Sequence, residues 1–597
     1  MLIKWSLSQR YNNISKLPRI DLSPCTFNIL FNRGYSSLND ILDFLRPSLF
    51  DLHSPFLFKD MKKVVNRFEN ALKNGEIILL YGDYDVDGIS GTSLLYKVLK
   101  KIGFKVLVYI PTRDEGYGLH EEVIIKAANN GVKLIVTIDC GITALEEIYL
   151  ASSYQIDTII TDHHEPLSEL PKALAILNPK VKDSGYPFRD LAGVGVVFKL
   201  IQALHKHFSY QRDLGEEIEY LDLVALGTIA DIVPLVGENR VFVKYGLEIM
   251  PKTKNVGMKA LLKECGLEGK KIKSGHVSYY VAPRINAAGR MDTADLALNL
   301  FLEEDYEKAL QLAKKLTNEN RQRQMAEAET LKDVENMLSS GPLPEVIVLS
   351  SPEWNHGVIG IVASRLVERY QRPVFLIAEE NDLGKGSARG FSNYHVIEEL
   401  TRLAPLLTKF GGHKQAAGFT IPVKNIDLFR EGLLKSFRES GVSFQKNYVI
   451  DYVLPMEEIN LKLQSELDQI APFGPSNPAT VLMTEGLFIK NIITMGKENE
   501  HLKLILGNNN CEIEAVAFKK GKEFEKLKQM KKIDILYTLE LNEFQGSQKL
   551  QANIIDYCES DTCCLSEIAC AEEYCFGVIN DRFYSNDVLI NRDILVD

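Results

Sequence analysis

The sequence predicts an α/β protein of several domains: a mostly parallel sheet, then a long helix, a second α/β unit and a small β-barrel. Three observations support this prediction. Strand and helix patterns alternate from about residue 60 to 240, residues 303–338 contain no glycine or proline, and short β-rich runs separated by turns fill residues 448–557. Alternating strands and helices are typical of βαβ units, long charged helices commonly bridge domains, and closely spaced short strands are typical of a barrel.

Length and composition limit the class of protein. At 597 residues, 45% apolar and 25% charged, the chain has the composition of a soluble protein and is long enough for roughly three to five domains. The N-terminus has no continuous apolar core for a signal peptide, and no run approaches the roughly 18 apolar residues of a membrane span. We therefore expect a cytoplasmic protein without a membrane partner. The net charge of −11 argues against a surface coated with basic residues, although it allows a local basic groove.

Apolar strands alternate with helices in the first α/β region. The strand Ile77–Tyr81 shows no alternation of polar and apolar residues, which is typical of a parallel strand covered on both faces. The order of these elements predicts a mostly parallel sheet. The further strands are Lys105–Ile110, Leu134–Ile138 and Asp157–Thr161, and the helices cover residues 88–101, 121–129, 143–152, 193–208 and 218–229.

The later regions change character twice. The long helix over residues 303–338 ends before Gly341 and Pro342, and the strand Val346–Leu349 opens the second α/β unit. The predicted barrel strands are Ala479–Leu482, Leu487–Ile493, Leu502–Leu506, Ile513–Phe518 and Ile533–Leu541. The predicted domains are an N-terminal segment (1–55), a first α/β domain (56–240), a connecting segment with the long helix (241–340), a second α/β domain (341–445), the barrel (446–557) and a tail (558–597).

The tail is rich in cysteine. It lacks two clean Cys-x-x-Cys pairs and a nearby histidine, so reduced thiols of a cytoplasmic protein are expected there rather than a metal site. The residues concerned are Cys558, Cys563, Cys564, Cys570 and Cys575.

Three carboxylates, Asp83, Asp85 and Asp87, directly follow the first buried strand. Such groups repel one another and lose hydration at the end of a buried strand, so the cluster is stable when a cation neutralises it. Ligands of open α/β sheets bind at the carboxyl ends of the strands, where these residues lie. The alternative interpretation is an acidic surface turn.

The same chemistry recurs at three later positions that we expect at strand ends: Asp139, the run Asp162-His163-His164, and Asp231. Neighbouring parallel strands lie about 4.8 Å apart, so their carboxyl ends can converge on one cluster. Carboxylates with a neutral imidazole are the ligands expected for Mg²⁺ or Mn²⁺ rather than for a zinc site with soft ligands. Asp139 alone could equally be a helix cap. The run Asp-His-His between a buried strand and a proline is more specific for a metal site.

These four motifs resemble those of the DHH phosphoesterase superfamily, and they are most similar to its RecJ family of exonucleases. The resemblance covers roughly residues 50–557. It implies a DHH-type parallel-sheet core, joined by a long helix to a DHH-associated α/β domain, and an OB-fold barrel at 448–557. The segments that carry it beyond the four motifs are Tyr280–Arg290, Trp354–Arg365, Gly386–Gly390 and Phe410–Gly418.

The resemblance implies a catalytic centre with two divalent metal ions, Mn²⁺ or Mg²⁺. Asp83 is expected near the first ion, directly or through water, and Asp139 is expected to bridge the two ions. His164 would orient a neighbour or the scissile phosphate, the alternative being a hydrogen-bonded core histidine. The implied ligands are Asp85 and Asp139 for one ion, and Asp87, Asp139, His163 and Asp231 for the other.

The resemblance also implies a phosphate-binding side. Arginine offers donors in a fixed fork, and a glycine pair lets backbone N–H groups approach a phosphate closely. The alternatives are surface ion pairs for the arginines and a simple turn for the glycines. Arg113, Arg284, Ser387 and Arg389 would grip the terminal 5′-phosphate, and His356, Gly411, Gly412 and His413 would line the substrate path. In the barrel, possible contacts to a single strand are Tyr537, Phe544 and Lys549, and the alternative for the two aromatic residues is the barrel core.

The implied activity is two-metal-ion hydrolysis of single-stranded DNA from its 5′ end, releasing 5′-mononucleotides in DNA recombination and repair. The substrate would be the single strand, the candidate partners are single-strand-binding protein and a RecQ-type helicase, and a monomer is expected. A phosphodiesterase for short oligonucleotides or cyclic dinucleotides is one alternative, against which the length and the barrel argue. A non-catalytic scaffold that binds single strands is another, against which the full set of ligands argues.

Overall fold

The computed structural model describes residues 3–8, 22–112, 115–116, 118–208, 216–290, 294–441, 446–544, 547–560, 577–579, 582–585 and 588–591. The chain divides into two compact units. One unit consists of Met1–Ser48, Gln445–Phe473 and Asn477–Asp597, and the other of Leu49–Phe444 and Gly474–Ser476.

The N-terminal segment belongs to the unit that contains the barrel, which the sequence did not indicate. Glu466, which is buried in that unit, accepts hydrogen bonds from the hydroxyl groups of Ser23 (2.6 Å) and Thr26 (2.8 Å). The first strand pairs in parallel with the strand Lys446–Ile450. The elements of the segment are β1 (Ile3–Leu7), α1 (Pro24–Asn32) and α2 (Leu38–Leu45).

The first α/β domain is built on a parallel sheet, as predicted. Its strands are β2 (Ile77–Gly82), β3 (Lys105–Tyr109), β4 (Val132–Ile138), β5 (Asp157–Thr161) and β6 (Ala175–Leu177), in the order β3-β2-β4-β5-β6. Its helices are α3 (Met61–Asn74), α4 (Val86–Ile102), α5 (Glu121–Asn129), α6 (Leu145–Ser153), α7 (Gly193–Phe208), α8 (Leu221–Ala230) and α9 (Gly237–Ile249).

Helices cover both faces of this sheet, which explains why its strands show no polar alternation. Ile78, Leu80 and Val136 face the core that includes α3, α4 and α7. Leu79 and Ile135 face the opposite core, which α5 and α6 complete. The strand β6 was not predicted, because three residues are too short for a recognisable pattern.

The connecting segment packs the long helix against the first domain. Ala309, Ala313 and Leu316 of that helix belong to the same buried core as α4 and α7. The predicted helix over 303–338 is confirmed and begins at Tyr306, after the cap Asp305. The elements are α10 (Val256–Glu264), α11 (Ser274–His276), a π-helical turn (Val277–Val281), α12 (Ala282–Arg290), α13 (Ala294–Leu302) and α14 (Tyr306–Ser339).

The second α/β domain contains a mixed sheet in the order β10-β11-β9-β8-β7, in which only β7 and β8 are parallel. Ile359 and Val362 of α15 pack on one face of this sheet, and Val396 and Phe429 of α16 and α17 pack on the other. The elements are β7 (Ile347–Ser351), α15 (His356–Tyr370), β8 (Val374–Glu380), β9 (Leu383–Arg389), α16 (Val396–Arg402), β10 (Lys409–Gly412), β11 (Ala416–Pro422) and α17 (Ile426–Ser440).

The elements of the barrel region are β12 (Lys446–Ile450), β13 (Tyr452–Val453), α18 (Leu461–Ile470), β14 (Leu482–Met495), β15 (His501–Gly507), β16 (Glu512–Ala517), α19 (Phe524–Gln529), β17 (Lys532–Phe544) and β18 (Ser547–Glu559). The barrel closes because β14 pairs with both β15 and β17, so five strands follow the circuit β14-β15-β16-β18-β17. In the tail, β19 (Gly577–Ile579), β20 (Arg582–Ser585) and β21 (Val588–Asn591) form an antiparallel sheet.

The structure bears on three of the residues singled out in the barrel and the tail. Tyr537 is fully buried with its hydroxyl 2.9 Å from that of Thr484, so it is a core residue and not a stacking surface. The Lys549 ammonium is exposed and lies 3.3 Å from a carboxylate oxygen of Glu514. Cys558 is disulfide-bonded, so the expectation of reduced thiols is wrong at that residue. The side chain of Phe544 and the tail residues Cys563, Cys564, Cys570 and Cys575 lie outside the described residues.

No helix in the described part of the chain is long and apolar enough to cross a membrane.

Candidate active site

The three carboxylates after β2 lie at the junction with α4. Asp83 directly follows the strand and is buried. Asp85 is the N-cap of α4, and its Oδ1 accepts hydrogen bonds from the backbone N–H groups of Asp87 (2.8 Å) and Gly88 (3.0 Å). Because Asp85 is the cap, α4 begins two residues earlier than predicted and Asp87 lies in its first turn.

Asp87 is buried against the N-terminus of α7. Its two carboxylate oxygens accept hydrogen bonds from the N–H groups of Gly193 (2.6 Å) and Val194 (2.9 Å). A β-carbon at Gly227 of α8 would lie 2.7 Å from Asp87 Oδ1, so only glycine allows that helix to approach so closely. The free N–H groups at the start of a helix stabilise a carboxylate there.

Asp139 and His163 follow β4 and β5 and meet at the same edge of the sheet. His163 Nε2 lies 3.1 Å from Asp139 Oδ1 and 3.4 Å from Asp231 Oδ2. That nitrogen has no hydrogen-bond partner among the described residues. Burial and the neighbouring His164 lower the pKa of His163 to about 3, so its ring is neutral and can offer a lone pair to a cation.

Asp231 reaches this cluster from a helix, so its predicted place at a strand end is wrong. It is the C-cap of α8, directly after Ala230, and the next residue, Ile232, has a φ of 61°. Asp139 also has a positive φ, 61°. Backbone strain of this kind persists where the surrounding structure enforces it, and it is common at functional sites.

The candidate ligands form two groups, and Asp139 connects them. Asp83, Asp85 and Asp139 bring one ligand atom each to within 4.8 Å of one another, and so do Asp87, His163 and Asp231. Asp139 belongs to the first group and touches His163 of the second through Oδ1. A third grouping of the same kind is Asp139, His163 and His164. Asp139 therefore lies between the two groups.

The electrostatics of the cluster favour a cation. Burial and the charge of Asp85 raise the pKa of Asp87 to about 7, and burial with the charges of Asp87 and Asp85 raises the pKa of Asp231 to about 9. The pKa of Asp139 is also raised, by burial and by its acidic neighbours. Hard divalent cations prefer such oxygen ligands, with or without an imidazole. The residues present therefore fit Mg²⁺ or Mn²⁺.

Asp162 is a site residue to which the sequence reasoning assigned no role. It is fully buried, and its Oδ1 accepts hydrogen bonds from the N–H groups of His163 (2.7 Å) and His164 (3.0 Å). The same oxygen lies 2.8 Å from Nδ1 of the His164 ring, and Oδ2 accepts from the N–H of Ile142 (2.9 Å). Asp162 therefore holds both histidines in place.

Opposite effects act on the pair formed by Asp162 and His164. Burial alone would lower the pKa of His164, but the hydrogen bond to Asp162 and the charges of Asp162, Asp83 and Asp85 raise it. Burial alone would raise the pKa of Asp162, but the hydrogen bond and the charge of His164 lower it. His164 therefore lies half-exposed at the edge of the cluster, with its pKa raised by its acidic neighbours.

Arg389, in the second α/β domain, is a half-buried cation without a carboxylate partner. Its Nε donates to Ser364 Oγ (3.1 Å), and its Nη1 donates to Ser387 Oγ (3.0 Å) and to the Ala388 carbonyl (2.8 Å). These partners are all neutral, and no carboxylate in the described ranges forms an ion pair with Arg389. Burial lowers the pKa of this guanidinium. A bound anion would compensate its charge.

Beside Arg389, two glycines and a serine lie opposite one another on neighbouring strands, so this part of the sheet surface has almost no side chains. Gly411 of β10 lies opposite Gly418 of β11, which lies opposite Ser387 of β9. A β-carbon at Gly411 would meet nothing within 4 Å, so the space above it is open. Gly412 has a φ of 144°, a conformation that favours glycine. The structure therefore brings Ser387, Arg389 and Gly411 together on one surface.

Four of the other predicted phosphate contacts, Gly412, His413, His356 and Arg284, lie in the described residues. The N–H of His413 donates to the Ala416 carbonyl (2.8 Å) in the same hairpin as Gly412. His356 begins α15, with its Nδ1 3.0 Å from Glu380 Oε1. The described hydrogen bonds of Arg284 lie within the connecting segment. Arg113 is not among the described residues.

Family models match three parts of the chain. The DHH family N-terminal domain matches residues 77–228, the DHHA1 domain matches residues 344–439, and the RecJ OB domain matches residues 450–556.

Curated proteins of similar sequence include the single-stranded-DNA-specific exonuclease RecJ from three bacteria. The protein of Bacillus subtilis is 36% identical over 550 residues, which cover 91% of this chain and 69% of the relative. The protein of Escherichia coli is 34% identical, with coverage of 83% and 89%. The protein of Haemophilus influenzae is 33% identical, with coverage of 84% and 90%.

Solved structures of similar fold include RecJ of Thermus thermophilus in complex with Mn²⁺. This structure aligns with a TM-score of 0.80 at 29% identity and covers 94% of this chain and 80% of that one. The complex of the same protein with Mg²⁺ aligns with a TM-score of 0.72 at 28% identity and covers 94% and 79%.

Proposed function

Since the chain belongs to the RecJ family of DHH phosphoesterases, we propose that it is a single-stranded-DNA-specific 5′→3′ exonuclease. It would release 5′-mononucleotides by two-metal-ion hydrolysis in DNA recombination and repair. The observation that carries this proposal is the buried cluster of carboxylates around His163. The pKa values of these carboxylates are raised, so a bound cation would stabilise their charged form. No observation favours the short-oligonucleotide phosphodiesterase or the non-catalytic scaffold.

The proposed metal ligands are the residues of the cluster. Divalent cations held there, Mn²⁺ or Mg²⁺, would supply electrophilic activation of the scissile phosphate and of water. The chain itself keeps the His163 ring neutral, and Asp162 fixes the backbone of both histidines. His164, held by Asp162 at the edge of the site, would orient a neighbour or the scissile phosphate. The proposed ligands are Asp85 and Asp139, with Asp83 close to them, for one ion, and Asp87, Asp139, His163 and Asp231 for the other.

The proposed phosphate side is the surface around Arg389. A half-buried guanidinium with only neutral partners gains a charge-assisted hydrogen bond when a phosphate binds. The open glycine row beside it would let a DNA backbone come close. Arg113, Arg284, His356, Gly412 and His413 complete the proposed set of contacts. The partner proteins, the monomeric state and the cytoplasmic location stay predictions.

The test of the activity is digestion of one oligonucleotide, labelled at either end, with Mn²⁺ or with EDTA, as a single strand and as a blunt duplex. We expect metal-dependent release of mononucleotides from the 5′ end of the single strand alone. Activity restricted to oligonucleotides of a few residues would replace the proposal with the short-oligonucleotide phosphodiesterase. Binding without cleavage under any metal would replace it with the scaffold.

Arg389→Ala tests the phosphate side. We expect it to reduce the preference for 5′-phosphorylated over 5′-hydroxyl ends by on the order of tenfold, because a charge-assisted hydrogen bond is lost. The concentration of Mn²⁺ for half-maximal activity should stay unchanged, since Arg389 is not among the proposed metal ligands. Arg402→Ala is a matched control, because Arg402 already pairs with Glu399 at 2.8 Å. An unchanged end preference in Arg389→Ala would remove Arg389 from the phosphate site.

A further inference from the structure

Asn239, in the first turn of α9, is fully buried and connects two segments of the first α/β domain. Its side-chain amide nitrogen donates to the backbone carbonyls of Asp190 (2.5 Å) and Pro234 (3.0 Å). Because a carbonyl oxygen only accepts hydrogen bonds, the NH₂ group of the amide must face both partners. Asn239 therefore sets the separation between the segment before α7 and the loop after α8.

The segment that contains Asp190 leads directly into the start of α7. There the N–H groups of Gly193 and Val194 donate to the two carboxylate oxygens of Asp87. A shift of this segment would move both N–H donors, and the Asp87 carboxylate would lose its orientation. Asn239 thus acts on Asp87 through the backbone at the start of α7.

The loop that contains Pro234 begins after Asp231, the C-cap of α8. Asp231 Oδ2 lies 3.4 Å from His163 Nε2 and has no hydrogen-bond partner among the described residues. The loop starts in strained backbone, since Ile232 has a φ of 61°, and such strain persists only where surrounding contacts enforce it. The hydrogen bond from Asn239 to the Pro234 carbonyl is one of these contacts.

The two carboxylates that depend on Asn239, Asp87 and Asp231, are proposed ligands of the same ion. The proposed ligands of the other ion are fixed by different contacts. Asp85 is the N-cap of α4, and the N–H of Asp139 donates to the last carbonyl of β5 (2.9 Å). The loss of Asn239 should therefore weaken one ion and not the other.

We infer that Asn239 is a positioning residue for the ion held by Asp87, His163 and Asp231. Its two hydrogen bonds fix the backbone segments that orient two of these ligands. Loss of a group that orients metal ligands typically weakens metal binding by about 10- to 100-fold. This inference rests on the proposed function, because it assumes that the cluster binds two cations.

The test compares Mn²⁺ binding by the wild type and by Asn239→Leu, which keeps the approximate size of the side chain but removes both donors. Electron paramagnetic resonance measures free Mn²⁺ during the titration, at a temperature at which circular dichroism shows each variant to be folded. Asn239→Ala is the second variant, since the space it leaves lets water bond the two carbonyls if the leucine variant does not fold.

The matched control is Asn255→Leu. Asn255 caps α10 in the connecting segment and donates to the Phe301 carbonyl (3.2 Å). Its loss removes a helix cap and a buried hydrogen bond, so this variant shows what a loss of stability alone does to Mn²⁺ binding.

We expect the wild type to bind two Mn²⁺ ions. Asn239→Leu should weaken one of them by about 10- to 100-fold and leave the other unchanged, and Asn239→Ala should act in the same direction by a smaller factor. In digestion of single-stranded DNA, the Mn²⁺ concentration for half-maximal activity should rise by the same factor, and saturating Mn²⁺ should restore kcat. Asn255→Leu should lower the Tm and leave both affinities unchanged.

Unchanged Mn²⁺ affinities in the Asn239 variants would overturn the inference, and so would an equal loss for both ions or the same loss in the Asn255 control. A wild type that binds two ions without digesting single strands would contradict the proposed exonuclease alone, and the titration would still decide the role of Asn239. A wild type that binds fewer than two ions would overturn the two-ion site and this inference together.

Discussion

Two groups of buried charged residues lie in the first α/β domain, and they differ in whether their charges cancel. Around Glu238, Lys199 Nζ lies 2.5 Å from Oε1, Tyr186 donates its hydroxyl to Oε2 (2.6 Å), and the N–H of His53 donates to Oε1 (2.9 Å). The Lys199 ammonium also donates to the His53 carbonyl (3.0 Å). Every charge of this cluster is compensated by another group of the protein. The cluster therefore stabilises the fold and needs no ligand to balance its charge.

The cluster around Asp139 is the opposite case. Its two ligand groups contain five carboxylates and one neutral histidine, and burial raises the pKa values of Asp87, Asp139 and Asp231. Of the two clusters, the one around Asp139 also contains strained backbone, since Asp139 and Ile232 have positive φ angles. Lys199 and Glu238 of the other cluster lie inside the helices α7 and α9. Surplus charge and strain together distinguish a site built for ligands from one built for stability.

Asp139→Asn should have the largest effect on activity. Asparagine keeps the size of the side chain and tolerates the positive φ, so the substitution removes mainly the charge. If Asp139 serves both cations, hydrolysis should fall by on the order of 10³-fold or more, since several kcal/mol of charge stabilisation are lost. Turnover of single-stranded DNA in Mn²⁺ checks this. Near-wild-type turnover would show that Asp139 does not bridge the ions.

Glu238→Gln should have the largest effect on stability. It leaves the buried Lys199 ammonium without a counter-charge, so the free energy of unfolding should fall by about 3–5 kcal/mol. Urea denaturation with circular dichroism measures this. Combining it with Lys199→Met should recover part of the loss. If the free energy of unfolding decreased by less than about 1 kcal/mol, Glu238 would not be the group that compensates the charge of Lys199.

The stability of the metal-free protein should depend on pH through the carboxylate cluster. A carboxyl group whose pKa is raised in the folded state keeps its proton to higher pH than in the unfolded chain, so stability falls as pH rises. We expect the Tm in EDTA to decrease by a few degrees from about pH 5 to about pH 8. Mn²⁺ should raise the Tm more at pH 8 than at pH 5. Identical shifts by Mn²⁺ at both pH values would contradict this.

Ile232→Gly should have the smallest effect and the opposite sign. Ile232 is 71% exposed, so little burial is lost, and glycine adopts the positive φ without strain. Part of this gain is offset by the greater freedom of glycine in the unfolded chain, so the free energy of unfolding should rise by about 0.5–1 kcal/mol. Thermal denaturation in EDTA measures this. Destabilisation would mean that the Ile232 side chain supports the turn after α8.

The local parts of this protein were predictable from the sequence. The strands β2 and β5 and the helices α7 and α14 follow from apolar runs and helical spacing, which are properties of adjacent residues. The role of Asp231 depends on a longer-range feature. A helix over residues 218–229 was predicted, but its pattern of apolar residues does not show that it carries Asp231 to the sheet edge where Asp139 and His163 lie.

Apart from the role of Asp162, the sequence by itself indicated the residues of the candidate site, because the carboxylates and histidines lie in short motifs at the ends of regular elements. Only the tertiary structure decided how they act together. The N-terminus of α7 fixes Asp87, Asp162 fixes both histidines, and the N-terminal segment joins the barrel through Glu466. Each of these contacts except those of Asp162 links residues far apart in the chain. Their burial and charge balance arise from packing, which no local pattern contains.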